Sequence, residues 1–245
     1  MLIRDLNINY HQYGKKDGKS IVLLHGWGQN TKMMDPLGKA LADDFYITNI
    51  DLPGFGQSDE PKTELSIAEY YEIIKELLTN LKINNPIIIG HSFGGKIAIY
   101  YAAKAPVQKL ILLASPFRAT NKKPTFKAKA LKTAAKMPGL KPLADKMKNK
   151  IGSSDYRNAS PIMKKVLVNT IHTDLTKEMK TIKSPTLLIW GTLDADVNIE
   201  DGKYAQTIIP NAGLVIYEGR THYAYLEELE RTIRILKEFL KNDKE

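Results

Sequence analysis

The chain has 245 residues, a formal net charge of +9 and no cysteine. That length allows one sizeable core, and the lack of cysteine excludes disulfides, thiol catalysis and cysteine-ligated metals. The sequence shows neither the apolar segment of a signal peptide nor an apolar run near the ~20 residues that cross a bilayer, so we expect a cytoplasmic protein without a transmembrane segment.

Apolar runs that suit buried strands alternate with longer stretches that suit helices. Residues 2–13 mix polar and apolar positions and predict one or two edge strands. Further along, apolar runs predict buried strands at 20–24, 45–50, 86–89, 110–114, 186–190 and 214–217. Runs that are apolar at nearly every position are typical of parallel strands that are covered on both faces.

Three stretches between or after these strands have helical periodicity. Residues 66–81 carry an apolar stripe from Ile67 to Leu78, and Ser66 suits the N-cap position of that helix. Residues 96–103 and 225–240 show similar patterns. Alternating strands and helices predict an α/β fold with a mostly parallel central β-sheet and helices on both of its faces.

The alternation stops between residues 117 and 183, where no run has the pattern of a buried strand. Apolar residues at helical spacing over 126–137 predict one helix, Pro138-Gly139 breaks the pattern, and 162–171 predicts another helix. We therefore predict that 117–183 forms a helical cap inserted into the core, with 1–116 and 184–245 forming the core itself.

The predicted cap also carries the excess positive charge of the chain. Residues 117–183 contain 17 Lys and Arg against 4 Asp and Glu. This segment is either a solvated lysine-rich face or a docking surface for an acidic carrier protein or an anionic lipid. The basic pI of about 9.4 also raises nucleic acid as a partner, but no recognised binding motif supports it, and we expect none.

Residues 90–94 read GHSFG, a G-x-S-x-G pattern between a predicted strand and a predicted helix. Small residues around Ser92 allow a sharp turn that exposes its hydroxyl at the carboxyl end of the strand. The following helix directs its positive end and free N–H groups at the same place. A serine hydroxyl needs a general base, and that base needs an acid to orient it.

In a chain with this serine motif, the acid and the base should follow Ser92 in the sequence. Of the two histidines there, His172 lies on a helical pattern within the predicted cap and suits the surface or a substrate pocket. His222 follows the predicted strand at 214–217, in a loop that can reach the end of the sheet. Asp194 and Asp196 both follow the strand at 186–190, so the residues themselves leave two candidates for the acid.

Besides the serine motif, four features resemble those of α/β hydrolases and occur in the order of that family. They are the H-G pair at 25–26, D-x-P-G-x-G-x-S at 51–58, G-x-x-D at 191–194 and the histidine at 222. The resemblance covers nearly the whole chain, with the predicted cap as its least diagnostic part. It implies an α/β-hydrolase fold and favours Asp194 over Asp196.

By this resemblance the catalytic triad is Ser92, His222 and Asp194, and no metal or organic cofactor is needed. The main-chain N–H groups of Trp27 and Phe93 would form the oxyanion hole. His222 would remove the serine proton during attack on an ester carbonyl, and water would then hydrolyse the acyl-enzyme.

The resemblance implies a serine carboxylesterase that acts on small-molecule esters with small to medium acyl groups. The Trp27 side chain would line the substrate pocket, and His25 and His172 are further candidates for that pocket. His25 and Asp51 also suit structural roles, since each lies in a loop that directly follows a predicted strand.

Two other activities stay open at this point. HGWGQN and DLPGFGQSD are similar to segments of the carboxylesterases of biotin synthesis that cleave the methyl ester of pimeloyl-acyl-carrier protein, and an acidic carrier could dock on the basic cap. Carbon–carbon bond hydrolases and perhydrolases share the same triad. A non-catalytic ligand receptor with this fold is disfavoured because all three triad residues are present.

Overall fold

The computed structural model describes residues 1–120 and 154–241, so the helix predicted over 126–137 and the break at Pro138-Gly139 lie outside it. The described strands are β1 (Leu2–Ile3), β2 (Leu6–Asn7), β3 (Tyr10–Gly14), β4 (Ser20–Leu24), β5 (Tyr46–Ile50), β6 (Ile87–His91), β7 (Lys109–Leu113), β8 (Thr186–Gly191) and β9 (Ala212–Tyr217). The described helices are α1 (Thr31–Leu41), α2 (Ile67–Asn80), α3 (Phe93–Lys104), α4 (Ser154–Asn158), α5 (Pro161–His172), α6 (Thr176–Met179), α7 (Ile199–Ile208), α8 (Ala224–Glu227) and α9 (Leu229–Lys241).

Seven strands form the central sheet in the order β3-β5-β4-β6-β7-β8-β9. Only β3 runs antiparallel to its neighbour, and every other pair in this sheet is parallel. The strand order reverses at β4, because β5 pairs on one side of it and β6 on the other. In open parallel sheets, ligands bind outside the carboxyl ends of the strands at such a reversal. The loops after β4 and β6 are therefore the place to look for a site.

Two apolar layers cover the sheet. Ile74, Ile97 and Ala205 of α2, α3 and α7 belong to the layer on one face, and Leu37 and Leu236 of α1 and α9 belong to the layer on the other. Each of these five residues is completely buried. The sheet is thus shielded from water on both faces, which explains why its strands are apolar at nearly every position.

The predicted α/β fold is confirmed, and the six predicted buried strands lie within two residues of their observed bounds. The first segment contains three strands rather than one or two. Arg4 and Asp5 adopt positive φ angles of 47° and 64°, which makes the tight turn between β1 and β2. Ser66 caps α2 as predicted, and it forms a reciprocal capping box with Glu69.

The helices were predicted less well than the strands. The sequence did not predict α1, because Pro36 and Gly38 interrupt its pattern, yet Met34 and Leu37 bury it against the sheet. Helix α3 begins at Phe93 rather than at residue 96. The prediction of a single helix over 225–240 is wrong. Glu228 has a non-helical backbone conformation and separates α8 from α9.

The described part of residues 117–183 contains α4, α5 and α6 and no strand, and α5 coincides with the helix predicted over 162–171. Helix α5 is joined to the core through α3, because the fully buried Lys96 donates a hydrogen bond to the Thr170 carbonyl oxygen at 2.7 Å. Burial lowers the pKa of Lys96 to about 8, although the nearby Asp174 carboxylate opposes that shift. Across the described ranges, none of the helices has the length and apolarity needed to span a bilayer.

Candidate active site

Ser92 occupies a tight turn between the last residue of β6 and the first residue of α3. Its φ of 49° and ψ of −113° lie in a region that side-chain-bearing residues rarely adopt. The following turn packs directly on the loop after β4, where the Gly94 N–H donates to the His25 carbonyl oxygen at 3.0 Å. A Cβ atom on Gly94 would lie 2.5 Å from that oxygen, so the approach requires glycine.

The loop after β4 is fixed by His25, whose side chain is completely buried. The Leu52 N–H donates to its Nε2 atom at 3.0 Å, so the proton is on Nδ1, which lies 2.7 Å from the Gly26 carbonyl oxygen. Burial lowers the pKa of His25 to about 4, which keeps the ring neutral. Although it was a candidate pocket residue, His25 therefore acts on the site through the loop that it holds.

Asp51 fixes the neighbouring loop after β5. Its carboxylate accepts hydrogen bonds from the Thr31 N–H at 2.7 Å, the Asn9 side-chain amide at 2.8 Å and the Gln57 N–H at 2.9 Å. Burial by itself would raise the pKa of Asp51, but these hydrogen bonds outweigh it and hold the pKa below its ordinary value. One carboxylate thus joins the residue before β3, the start of α1 and the loop over 51–58.

The main-chain N–H groups of Trp27 and Phe93 were predicted to form the oxyanion hole. Neither donates a hydrogen bond to another residue within the described ranges. The two residues are neighbours, since their rings make an edge-to-face contact with centroids 5.3 Å apart. The Phe55 ring contacts both, with its centroid 4.9 Å from that of Trp27 and 6.0 Å from that of Phe93. The loops after β4, β5 and β6 therefore meet in one aromatic cluster.

Asp194 and His222 are in direct contact, and both are buried. The His222 Nδ1 atom lies 2.8 Å from Asp194 Oδ2, while Asp194 Oδ1 accepts the N–H groups of Asp196 at 2.9 Å and Val197 at 2.8 Å. A carboxylate can only accept, so in the neutral tautomer that fits this contact the His222 proton is on Nδ1 and Nε2 has the free lone pair. Such a ring can take a proton from a neighbouring hydroxyl.

The loops that carry these two side chains are tied together through their main chains. The Thr192 N–H donates to the Tyr217 carbonyl oxygen at 3.1 Å, and the Leu193 N–H donates to that of Arg220 at 2.9 Å. The Gly219 N–H donates to the Thr192 hydroxyl at 2.9 Å. These bonds set the separation of the two loops, and with it the Asp194–His222 contact.

His91 connects the His222 loop to the serine turn, a role that the sequence analysis did not assign. Its Nε2 atom lies 3.1 Å from the His222 carbonyl oxygen, and the two rings are 4.8 Å apart. Burial, reinforced by the nearby His222, lowers the pKa of His91 to about 3. Since His91 directly precedes Ser92, this neutral ring brings the two parts of the site together. It is the second residue of GHSFG, a position that the pattern leaves unspecified.

Two other candidate residues from the sequence have exposed side chains. His172 is exposed at the last position of α5. Asp196 is exposed on the loop after β8. Asp194, Asp196 and His222 offer potential metal-ligand atoms within 4.8 Å of one another, but both Asp194 oxygens and His222 Nδ1 are already engaged in the hydrogen bonds described above.

Comparison with known proteins agrees with this architecture. A family model described as alpha/beta hydrolase fold matches residues 19–144. AB hydrolase superfamily protein YisY of Bacillus subtilis is 30% identical, with 91% of each chain covered. Pimeloyl-[acyl-carrier protein] methyl ester esterase of Pseudoalteromonas atlantica is 28% identical over 89% of this chain and 95% of that protein. MGS-M2, an alpha/beta hydrolase enzyme from a deep-sea metagenome library, has a TM-score of 0.80 at 20% identity, covering 100% of this chain and 98% of that one.

The close approach at Gly94 yields a test of how the site is assembled. Gly94→Ala should lower both the melting temperature and any hydrolytic activity, because the new methyl group would overlap the His25 carbonyl oxygen. Gly213→Ala in β9 is the matched control, since a Cβ atom there meets nothing within 4 Å. Thermal unfolding of both variants checks this expectation. Equal melting temperatures for the two variants would contradict the proposed contact.

The buried neutral imidazole of His91 makes stability depend on pH. Its stabilising contribution is complete above the unfolded-state pKa of about 6.5 and is lost as pH falls towards the folded-state value of about 3. In that window His91 should reduce the free energy of unfolding by up to about 1.4 kcal/mol per pH unit. His91→Gln should therefore give a shallower acid slope in urea unfolding at pH 7.5, 6 and 5.

His11→Gln, on the exposed edge of β3, controls for the loss of a histidine from the chain. If His91→Gln and the unmodified protein lose stability at the same rate between pH 6.5 and 5, the folded-state His91 ring is not held neutral.

Proposed function

Because the chain belongs to the α/β-hydrolase family, we propose that it is a serine carboxylesterase that hydrolyses small to medium acyl esters. The observation that carries this proposal is the buried Asp194 carboxylate on His222 Nδ1, in a loop that contacts His91, the residue before the strained Ser92. A nucleophile and a base at one end of the sheet are what acyl transfer requires.

In the proposed mechanism, His222 Nε2 removes the Ser92 proton while the serine oxygen attacks the ester carbonyl carbon. Asp194 keeps the proton on Nδ1 and stabilises the imidazolium that forms. The tetrahedral intermediate collapses as His222 gives its proton to the departing alcohol. Water, activated by the same histidine, then releases the acid and regenerates the serine.

The negative charge of the tetrahedral intermediate is assigned to the main-chain N–H groups of Trp27 and Phe93. Their lack of a partner among the described residues supports this role, because hydrogen-bond donors that are already in place need no reorganisation when the charge appears. Phe93 is also the first residue of α3, and the dipole of this helix places partial positive charge at the same point.

The triad assignment is tested by separate substitutions of the two neighbouring aspartates. Asp194→Asn should lower kcat on p-nitrophenyl esters by about 10⁴-fold, because an amide would favour the wrong His222 tautomer. Asp196→Asn is the matched control and should remain within about threefold, since its carboxylate is exposed. Ser92→Ala should reduce hydrolysis to the uncatalysed background. Comparable losses at positions 194 and 196, or retained activity without Ser92, would refute the mechanism.

A second candidate is an esterase that takes its substrate from an acidic carrier protein. Two observations favour it: the 17 basic residues against 4 acidic ones within residues 117–183, and the 28% identity to an enzyme named for a carrier-linked methyl ester. Lys165, Lys177 and Lys180 are exposed on the described helices of this segment or directly beside them. A surface of one charge sign accelerates the docking of a partner of opposite sign.

Carrier docking predicts a preference that depends on salt. The protein should show a higher kcat/KM for an acyl-carrier methyl ester than for the free methyl ester, and raising the ionic strength should reduce the difference. Lys177→Glu with Lys180→Glu should also reduce it, whereas the control pair Lys15→Glu with Lys16→Glu, exposed after β3, should not. Equal kcat/KM values for the two esters at low salt would overturn carrier docking.

A further inference from the structure

A cavity of about 470 Å³ lies between the loops after β4 and β5 and the start of the described cap. Trp27 and Phe55 form its apolar core-side wall, and Met163 of α5 adds to the apolar lining. Trp27 and Phe55 are both partly exposed, so some of each ring surface can contact a ligand. The volume suits a small organic group.

The charge of this cavity is opposite to that of the molecule as a whole. Asp155 of α4 and Glu60 contribute carboxylates to its wall, and no Lys or Arg is among the described residues that line it. Glu60 is oriented by the Ser160 hydroxyl, which donates to its Oε1 atom at 2.8 Å. A protein with a net charge of +9 thus has an acidic, aromatic recess at this position.

The recess adjoins the proposed catalytic centre. Trp27 contributes its ring to the cavity and its N–H to the proposed oxyanion hole, so one residue belongs to both. Asp155 is close enough to the centre to be affected by its charges: burial raises the pKa of Asp155, the Asp196 carboxylate adds to that, and His222 opposes it. A substrate whose carbonyl lies at Ser92 can therefore extend into this recess.

We propose that this recess binds a cationic group of the ester substrate, namely a quaternary or protonated ammonium held on Trp27 and Phe55 between the carboxylates of Asp155 and Glu60. Aromatic faces attract cations through their negative quadrupole, and carboxylates add Coulomb attraction without requiring a fixed geometry. The inference rests on the proposed esterase function and specifies its substrate class. It selects against anionic groups, which the two carboxylates would repel.

The experiment uses two pairs of isosteric esters that differ only in charge. Acetylcholine and 3,3-dimethylbutyl acetate place the cation, or its neutral counterpart, on the alcohol. The p-nitrophenyl esters of 4-(trimethylammonio)butanoate and 5,5-dimethylhexanoate place it on the acyl group. At low salt, the kcat/KM ratio of cationic to neutral ester should reach about tenfold in one of the two pairs. The pair that responds identifies which half of the substrate enters the recess.

Variants test whether the recess is the source of this ratio. Asp155→Asn and Glu60→Gln should each lower the ratio by about threefold, and Asn158→Asp, which adds a carboxylate to the wall, should raise it. Glu200→Gln, the same loss of charge on an exposed residue of α7, is the matched control and should leave the ratio unchanged. Because each ratio is measured within one variant, a general loss of activity cancels.

The outcomes separate this inference from the proposed function. The cation site is overturned if the neutral esters are hydrolysed and the ratios are near one in both pairs. It is also overturned if the ratios do not change in the Asp155 and Glu60 variants. Either result leaves the esterase proposal intact. If no ester is hydrolysed at all, the esterase proposal fails, and calorimetric titration with phenyltrimethylammonium still decides the site. Saturable binding that weakens in Asp155→Asn supports it, and absence of saturable binding overturns it.

Discussion

The hydrogen bond from the Gly94 N–H to the His25 carbonyl oxygen joins the first turn of α3, which follows β6, to the loop after the adjacent strand β4. It forms only because no side chain separates the two main chains. On one side of this contact Ser92 is held in its strained turn, a conformation that costs on the order of 1–3 kcal/mol and persists only where the surroundings enforce it. On the other side is the N–H group of Trp27, which has no partner among the residues that the structure describes. The remaining features of the site are arranged around this one approach.

Neutral buried imidazoles and one well-bonded carboxylate hold that arrangement. His25 and His91 use their ring nitrogens to fix main-chain atoms of the loops, and burial keeps both rings uncharged. Asp51 is different, because it keeps its charge by accepting three hydrogen bonds. Replacing any of these groups would leave a buried donor or acceptor without its partner, which costs about 1–3 kcal/mol. The site therefore depends on the chemical identity of these supporting groups as well as on that of the residues proposed to react.

The sequence predicted those parts of the molecule that depend on local pattern. Buried parallel strands are continuous apolar runs, so their positions were clear, and the turn at Ser92 was recognisable from its glycines. Helix α1 was missed because Pro36 and Gly38 weaken its pattern, while burial against the sheet stabilises it. The choice between Asp194 and Asp196 depended on a family resemblance. His91 and Asp155 were not found at all, because their significance comes from contacts with residues distant in sequence.

The buried hydrogen bond of Lys96 affects how quickly a ligand can reach the proposed site. Its ammonium group is buried and donates to the carbonyl oxygen of Thr170, which links α5 to the helix that begins just after Ser92. Lifting α5 away would exchange this hydrogen bond for one to water, a net cost on the order of 1–3 kcal/mol for a charged donor. By the exponential dependence of rate on barrier height, entry by that route is slowed roughly five- to 150-fold relative to entry that leaves the contact intact. The lysine thus favours access around α5 over access beneath it.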